Sequence, residues 1–226
     1  FKHTFSLSWY FPNLYGKKIG KKADASGDEP PGCDRMESHE YTRYFESSEE
    51  VARYALKEYQ RLQEATEQFH RTFYDSDLPE YVLDQVNSQL NTFRTSIWLT
   101  RTDMYGVLEG LSPVKPYAGL GTTDVAMYGQ IATSLLFPEL DRKTIDCWRK
   151  FMDESGKVIH SISCNSYEVA EGEADGKRLD MPGQFVFQTL RALLWSGDEH
   201  RLKNAWPDVK KALAYVLRER DANGDH

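Results

Sequence analysis

The sequence predicts a mainly α-helical protein. Two observations support this prediction: long stretches have apolar residues at helical spacing, and residues that cap or end helices stand at the ends of most of them. Hydrophobic residues make up 40% of the 226-residue chain, enough for a sizeable core. Helices that follow one another through loops of unequal length are typical of an α/α toroid or a helical array.

The N-terminal residues have a different pattern. The stretch FKHTFSLSWYFP, which ends at Pro12, is rich in aromatic and β-branched residues with partial alternation, and it predicts a β-strand. Residues 13–40 are rich in Gly, Pro, Lys, Asp and Ser, which indicates a loop. We therefore expect a strand and a linking loop over residues 1–46 and helices over residues 47–226.

The first helix has clear end signals. Ser47 or Ser48 can cap it, acidic residues follow in its first turn, and its apolar spacing continues to about Tyr74. A second helix is predicted from Asp77 and Pro79 to near Trp98. Further helices are predicted over about residues 123–137, 141–152, 182–195 and 199–220, with Pro138 and Gly197 as breaks. The stretch KVIHSIS predicts a short extended segment.

Charge and cysteine content exclude several classes of protein. The net charge is −7 and no basic stripe is present, so nucleic-acid binding has no electrostatic support. No apolar run approaches the roughly 20 residues of a transmembrane helix, so no transmembrane segment is predicted. Cys33, Cys147 and Cys164 show neither metal-ligand spacing nor a disulfide pattern, which favours a reducing compartment, and we expect a cytoplasmic location.

Two carboxylates lie in the turn-rich stretch YGVLEGLSPVKPYAGLGTTDVAMYG. Glu109, next to Gly110, is placed to approach a ligand closely as a nucleophile or base, although the residues alone favour a solvated turn acid. Asp124 follows Thr122 and Thr123, either of which can be a helix N-cap. A first-turn acid is stabilised by the helix dipole, and the same position suits binding of a substrate hydroxyl, so both interpretations stay open.

Two other polar features are candidate sites. His160 lies on a short apolar segment, where a lone histidine is more often structural than catalytic, and no second histidine stands at zinc-ligand spacing. The final stretch DANGDH places Asp221, Asn223 and Asp225 at alternate positions, as at the start of a calcium loop. A polar turn that ends a helix is the simpler interpretation of that stretch.

These stretches together resemble glycoside hydrolase family 116, the retaining β-glucosidases that include the non-lysosomal glucosylceramidases. The most specific matches are YGVLEG and TTDVAMYGQIATSLLFPEL, which are similar to the family's Leu-Glu-Gly and Thr-x-Asp-Val segments. FSLSWYFPN, LPEYVLDQVNSQLNTFRTSIW, GKVIH, LDMPGQFVFQTLRALLWSGD and LKNAWPDVKKALAYVLRERDANGDH continue the resemblance in order. It covers nearly the whole chain and is weakest over residues 13–40 and 165–178.

The resemblance implies a fold and a set of roles. Residues 1–46 would be the end of an N-terminal β-sandwich domain with a linker loop, and residues 47–226 the first part of an (α/α)6 catalytic barrel. Glu109 would be the nucleophile, and Asp124 and His160 would hydrogen-bond sugar hydroxyls. The substrate would be a β-glucoside or a glycolipid, with no cofactor required for the chemistry. The spacing of Asp221, Asn223 and Asp225, and not the resemblance, makes a structural calcium ion a candidate.

The sequence also departs from the family. The spacer between Glu109 and Asp124 is longer than in well-known members, and Ser161 follows His160 where the family has Asp. The family's acid/base Asp lies beyond His226, so we expect this chain to be a segment of a longer β-glycosidase that depends on the rest of the polypeptide. The alternative is a non-catalytic α/α carbohydrate-binding or scaffold module. The sugar (glucose, xylose or N-acetylglucosamine) and the aglycone stay open.

Overall fold

The computed structural model describes residues 3–12, 15–16, 35–36, 38–108, 119–163 and 178–222. These residues are mainly helical, as predicted. A 3-10 turn spans Glu40–Arg43, and the α-helices are α1 (Ser48–Tyr74), α2 (Glu80–Leu90), α3 (Thr92–Thr95), α4 (Thr123–Gly129), α5 (Ile131–Leu136), α6 (Pro138–Phe151), α7 (Asp180–Ser196) and α8 (Glu199–Ala222). None of the helices in these ranges has the length and apolar character that crossing a bilayer requires.

Short antiparallel strand pairs accompany the helices. They are β1 (Tyr15–Gly16) with β2 (Arg35–Met36), β3 (Ile97–Leu99) with β4 (Tyr105–Val107), and β5 (Gly119–Leu120) with β6 (Ile162–Ser163). An isolated bridge between Leu108 and Leu120 joins the end of β4 to β5. The strand pairs therefore bring three separate parts of the chain together beside the start of α4.

The first helix begins and ends where the sequence predicts. Ser47 is its N-cap, and the Ser47 hydroxyl accepts a hydrogen bond of 3.2 Å from the backbone N–H of Glu50. The second predicted helix ends earlier than expected, because α2 stops at Leu90 and residues 97–99 form strand β3. Ile97, Trp98 and Leu99 pair with β4, so the strand ladder overrides the helical pattern there.

The helix predicted over residues 123–137 is two helices. Gln130, with φ −111° and ψ 17°, leaves the helical region and separates α4 from α5. Pro138 does not act only as a stop, because it occupies the first position of α6, where its missing N–H costs nothing. Gly197, with φ 69°, ends α7 and separates it from α8, as predicted.

The N-terminal strand prediction is wrong for residues 3–12. These residues form neither a strand nor a helix, and their apolar side chains are exposed, from Phe5 at 90% to Phe11 at 63%. A strand requires a neighbouring strand to complete its backbone hydrogen bonds. The described contacts of this segment are instead with the Tyr41 hydroxyl, which bonds the backbone of Phe11, and with the Ser48 carbonyl oxygen.

The core lies where α6, α7 and α8 meet β4, α4 and the segment at residues 158–159. Its centre includes Trp148, Met181 and Phe185, each with 1% or less of its surface exposed. Successive helices pack against one another, α5 on α6, α6 on α7 and α7 on α8. Cys147 is buried in this core, with 4% of its surface exposed. By contrast, α1 has no buried residue along its length.

A buried polar cluster joins α5, α6 and α7. The Ser134 hydroxyl donates a hydrogen bond of 2.6 Å to Asp141, and Arg191 donates to Ser134 at 3.1 Å and to the Met127 carbonyl oxygen at 2.8 Å. Burial raises the pKa of Asp141 and lowers the pKa of Arg191. Removing one partner would cost the remaining buried groups a hydrogen bond that links two helices, so this cluster fixes how the three helices meet.

Replacing Gly156 with alanine tests the contact between the turn after α6 and helix α8. Gly156 has φ 94°, and an added Cβ would lie 2.7 Å from the backbone carbonyl carbon of Lys211. We expect Gly156→Ala to lower the free energy of unfolding by about 2–4 kcal/mol in urea titrations. The matched control is Gly183→Ala within α7, where an added Cβ meets nothing within 4 Å. That variant should equal wild type or gain up to about 1 kcal/mol, and equal losses in both variants would contradict the packing described.

The pH dependence of stability tests the burial of Tyr105. Burial raises the pKa of Tyr105 from 10.0 to about 12. Because the pKa is raised in the folded state, the protonated Tyr105 stabilises the fold. This contribution is complete below the unfolded-state pKa near 10 and is lost as the pH rises through about 12. Relative to Tyr105→Phe, wild type should therefore lose about 1 kcal/mol of unfolding free energy by about pH 11. Parallel pH profiles of the two proteins in urea titrations would contradict this expectation.

Candidate functional site

The candidate site is built around the turn that enters α4. Gly121, with φ 57°, takes the left-handed conformation that glycine adopts without strain. Its backbone N–H donates to the Val107 carbonyl oxygen at 3.0 Å. Gly106 allows this approach, because a Cβ there would lie 2.9 Å from the Gly121 nitrogen. The two glycines therefore let the chain cross closely over β4 just before α4 begins.

Hydrogen bonds from three distant parts of the chain hold residues 121–123, which lead into α4 at Thr123. The N–H of Thr123 donates to the His160 carbonyl oxygen at 2.8 Å, and its hydroxyl donates to the Ile159 carbonyl oxygen at 2.8 Å. The Gln188 amide donates to the Thr123 carbonyl oxygen at 2.8 Å, and the Trp148 indole N–H donates to the Gly121 carbonyl oxygen at 2.8 Å. Because these groups are buried, the backbone before Asp124 has one fixed position.

Asp124, His160 and Arg178 come together at the start of α4. The Nε2 atom of His160 lies 3.4 Å from Oδ1 of Asp124, and Nη2 of Arg178 donates to Oδ2 of Asp124 at 3.1 Å. The backbone N–H of Val125 donates to Oδ1 at 2.9 Å. The side chains of Asp124 and Arg178 are partly exposed, at 32% and 30%, and that of His160 is 14% exposed. The cluster is therefore open to a ligand on one side.

Arg178 links two helix starts electrostatically. Its Nη2 atom also lies 3.4 Å from Oδ2 of Asp180, in the first turn of α7. Partial burial alone would lower the pKa of the Arg178 guanidinium, but the hydrogen bonds to Asp180 and Asp124 raise it overall. Arg178 is therefore charged at any physiological pH and places a positive charge beside the Asp124 side chain.

Counting only contacts with the described residues, Asp124 can accept one more hydrogen bond. A carboxylate has about four lone-pair positions. Oδ1 faces the Val125 N–H and His160, while Oδ2 accepts from Arg178. The open position on Oδ2 suits a ligand hydroxyl. A fixed carboxylate beside an imidazole and a guanidinium can therefore bind a polyhydroxylated ligand through hydrogen bonds that are shorter and stronger than neutral ones.

Two of the sequence-predicted site residues, Asp124 and His160, meet in the structure. Asp124 lies in the first turn of α4, as predicted. Thr122 is the N-cap residue of that helix, although its side chain makes no capping hydrogen bond. Glu109 lies outside the described residues. The residue before it, Leu108, is bridged to Leu120, four residues before Asp124. Leu108, the last described residue before Glu109, therefore lies directly beside the segment that leads into the site.

The predicted calcium site lies largely outside the described part of the chain. The backbone of Asp221 belongs to the last turn of α8, while Asn223 and Asp225 are not described. Within the described ranges, no three His, Cys, Asp or Glu side chains are grouped to hold a metal ion. The calcium site therefore stays a prediction from the sequence.

The sequence analysis missed Arg178 and Gln188. Arg178 is 54 residues from Asp124, and Gln188 is 65 residues from Thr123. Gln188 carries one usable signal, because it is a polar residue among the apolar positions of α7 that face the core. Arg178 has no comparable local signal, since it follows a polar loop in which an arginine is ordinary.

The chain matches no protein-family model and no curated protein at a significant level.

Replacing Thr123 with valine tests the hydrogen bonds that position the site. Thr123→Val keeps the shape of the side chain but leaves the Ile159 carbonyl oxygen without its hydroxyl donor. We expect a loss of about 1–3 kcal/mol in the free energy of unfolding, measured in urea. The control is Thr66→Val on α1, where the hydroxyl donates at 2.8 Å to the exposed Leu62 carbonyl oxygen. Water can replace that bond, so a loss as large as that of Thr123→Val would contradict the role assigned to Thr123.

Proposed function

We propose that this chain carries the nucleophile and the sugar-binding residues of a retaining β-glycosidase that acts on β-linked glucosides or glycolipids. Glu109 is the nucleophile. Asp124 and His160 bind hydroxyls of the sugar, and Arg178 holds Asp124 in position. The proposal rests on the resemblance of the stretches around these residues to glycoside hydrolase family 116 and on the geometry at the start of α4.

The observation that carries the proposal is the meeting of Asp124, His160 and Arg178. These residues come from α4, from the segment before β6 and from the start of α7, and they meet at a partly exposed carboxylate with Oδ2 open to another donor. Sugar hydroxyls donate and accept hydrogen bonds, so an acceptor flanked by two donors suits a pair of neighbouring hydroxyls. The separately predicted residues Asp124 and His160 thus share one site.

The bridge between Leu108 and Leu120 supports the assignment of Glu109. It places the backbone immediately before Glu109 opposite the segment that enters α4. Opposite residues of an antiparallel pair have Cα atoms about 4.5–5.5 Å apart. A nucleophile must reach the anomeric carbon of a sugar whose hydroxyls are held by Asp124 and His160. The neighbour of Glu109 in the sequence, Leu108, lies beside the segment that leads to Asp124, which supports this assignment.

The chemistry proceeds in two steps. A carboxylate oxygen of Glu109 attacks the anomeric carbon, the bond to the aglycone oxygen breaks, and that oxygen leaves with a proton from a general acid. Water then attacks the anomeric carbon of the glycosyl-enzyme, gives a proton to the same group, and releases Glu109 and a sugar of retained configuration. The two carboxyl groups in such sites lie roughly 5–5.5 Å apart. We assign no residue of this chain to the acid/base role.

The packing of successive helices supports placing residues 47–226 in an (α/α)6 barrel. α5 packs on α6, α6 on α7 and α7 on α8, as successive helices do in helical arrays and toroids. The site lies at the starts of α4 and α7 and in the connections beside them, which is where such folds carry their polar loops.

The second candidate function is a non-catalytic carbohydrate-binding module. The observation that favours it is that Asp124 contacts both His160 and Arg178 directly, so the meeting of these three side chains does not pass through Glu109. Such a module would bind the sugar and release it unchanged.

A mechanism-based inactivator separates the two candidates. We expect a 2-deoxy-2-fluoro-β-glucoside with a dinitrophenolate leaving group to add one sugar to the chain, detected by intact mass and mapped to Glu109. The leaving group needs no proton, so labelling does not depend on the acid/base residue. Glu109→Gln should abolish labelling. Asp124→Asn should slow it by roughly tenfold or more, because a charge-assisted hydrogen bond is lost.

Two controls make the result specific. Glu64→Gln and Asp84→Asn change exposed carboxylates on α1 and α2 and should label at the wild-type rate. Ligand-observed NMR then measures glucose binding and decides between the glycosidase and the binding module. Binding that depends on Asp124 without any label on Glu109 would favour the binding module. The absence of both would reject the proposed function.

A further inference from the structure

The charges of the Asp124 site are unequal, because two carboxylates share one guanidinium group. Nη2 of Arg178 lies 3.1 Å from Oδ2 of Asp124 and 3.4 Å from Oδ2 of Asp180. Both contacts end on the same nitrogen atom, so each carboxylate contacts it directly. The formal charge of these three side chains is therefore negative by one unit.

These three side chains are accessible to a ligand. The side chain of Asp180 is 51% exposed, and those of Asp124 and Arg178 are 32% and 30% exposed. Asp180 lies in the first turn of α7, and the amide nitrogen of Gln184, one turn further along, lies 3.4 Å from Oδ2 of Asp180. Gln184 carries no charge, so it does not alter the balance.

The other charged groups near the site do not compensate for this excess. Arg191, whose guanidinium donates to a carbonyl oxygen of α4, lies 3.9 Å from Asp141. Lys157, the basic residue nearest to His160 in the sequence, belongs to a turn that also carries Asp153 and Glu154. Neither the arginine nor this turn therefore adds a net positive charge.

The stretches that adjoin the site in the sequence are acidic as well. Residues 109–118 follow Leu108, and residues 164–177 precede Arg178. Their acidic residues are Glu109, Glu168, Glu171, Glu173 and Asp175, and their basic residues are Lys115 and Lys177. The net charge of these stretches thus has the same sign as that of the described cluster.

A negatively charged site discriminates between sugars by the charge that they carry. An ammonium group on the sugar is attracted and can donate three hydrogen bonds, whereas a sugar carboxylate is repelled and can donate none. At separations of about 6–8 Å in a partly exposed site, one unit of charge changes the affinity by roughly threefold to tenfold. A neutral sugar is unaffected by this term.

We propose that the Asp124 site accepts neutral and amino-bearing sugars and excludes uronic acids, and that Asp180 is the residue that determines this specificity. The inference rests on the proposed sugar site and adds the charge of the sugar to it. Without the carboxylate of Asp180, Asp124 and Arg178 would form a neutral pair. The site would then have little preference for the charge of the sugar.

Three sugars that differ only at carbon 6 test this preference. They are 6-amino-6-deoxyglucose, glucose and glucuronate, which are a cation, a neutral molecule and an anion at pH 7. Ligand-observed NMR titrations at low ionic strength should show that the amino sugar binds about threefold to tenfold more tightly than glucose, and glucuronate more weakly by a similar factor. Added sodium chloride should reduce the ratio of the two charged sugars' affinities, because it screens the interaction.

Two variants locate the source of the preference. Asp180→Asn keeps the shape of the side chain, and its amide oxygen can still accept from Arg178, so the affinity ratio of amino sugar to glucuronate should fall to about a third or less of the wild-type ratio. Glu199→Gln makes the same change in net charge at an 80% exposed position. It lies beyond the far end of α7, roughly 24 Å of helix from Asp180, and should keep the wild-type ratio.

The possible outcomes separate this inference from the proposed function. Glucose binding that depends on Asp124, with the amino sugar and glucuronate binding within threefold of each other, would overturn the inference and leave the sugar site standing. A wild-type ratio in Asp180→Asn, or an equal fall in Glu199→Gln, would contradict the role of Asp180. If none of the three sugars binds saturably, the sugar site and this inference are both rejected.

Discussion

The hydrogen bonds that converge on residues 121–123 are the constraint on which the rest of the site depends. Trp148 holds the Gly121 carbonyl oxygen, Gln188 holds the Thr123 carbonyl oxygen, and the N–H and hydroxyl of Thr123 bind carbonyl oxygens of residues 159–160. Each bond joins parts of the chain that are far apart in sequence. Because the groups are buried, no water can replace these bonds, and α6, α7 and the segment before β6 are fixed relative to α4.

This constraint explains why a partly exposed cluster can be well defined. Asp124 is the next residue after Thr123, and His160 supplies the carbonyl oxygen that accepts from Thr123. Hydrogen bonds to buried residues therefore fix the backbone that positions both side chains. Arg178 then closes the cluster from the start of α7. Polar side chains on a rigid frame lose less entropy when they bind a ligand than side chains on a mobile loop.

The two ends of α7 serve different purposes. Its first turn carries Asp180 beside the Asp124 cluster, and its later turns contribute Gln188 and Arg191 to buried hydrogen bonds. One helix thus supports both the proposed sugar site and the core.

The sequence by itself determined the helical class and several boundaries. Ser47 caps α1 and Gly197 ends α7, because capping and left-handed backbone are local properties of a few residues. Local pattern also placed Asp124 in a first turn and marked His160 as a candidate.

Tertiary structure decided the rest. Residues 97–99 became a strand because β4 was available to pair with them, whereas residues 3–12 found no such partner among the described residues. Arg178 joined Asp124 only because α7 packs against α4. Pairings across more than 50 residues depend on where the packed helices bring the chain, and no local periodicity contains that information.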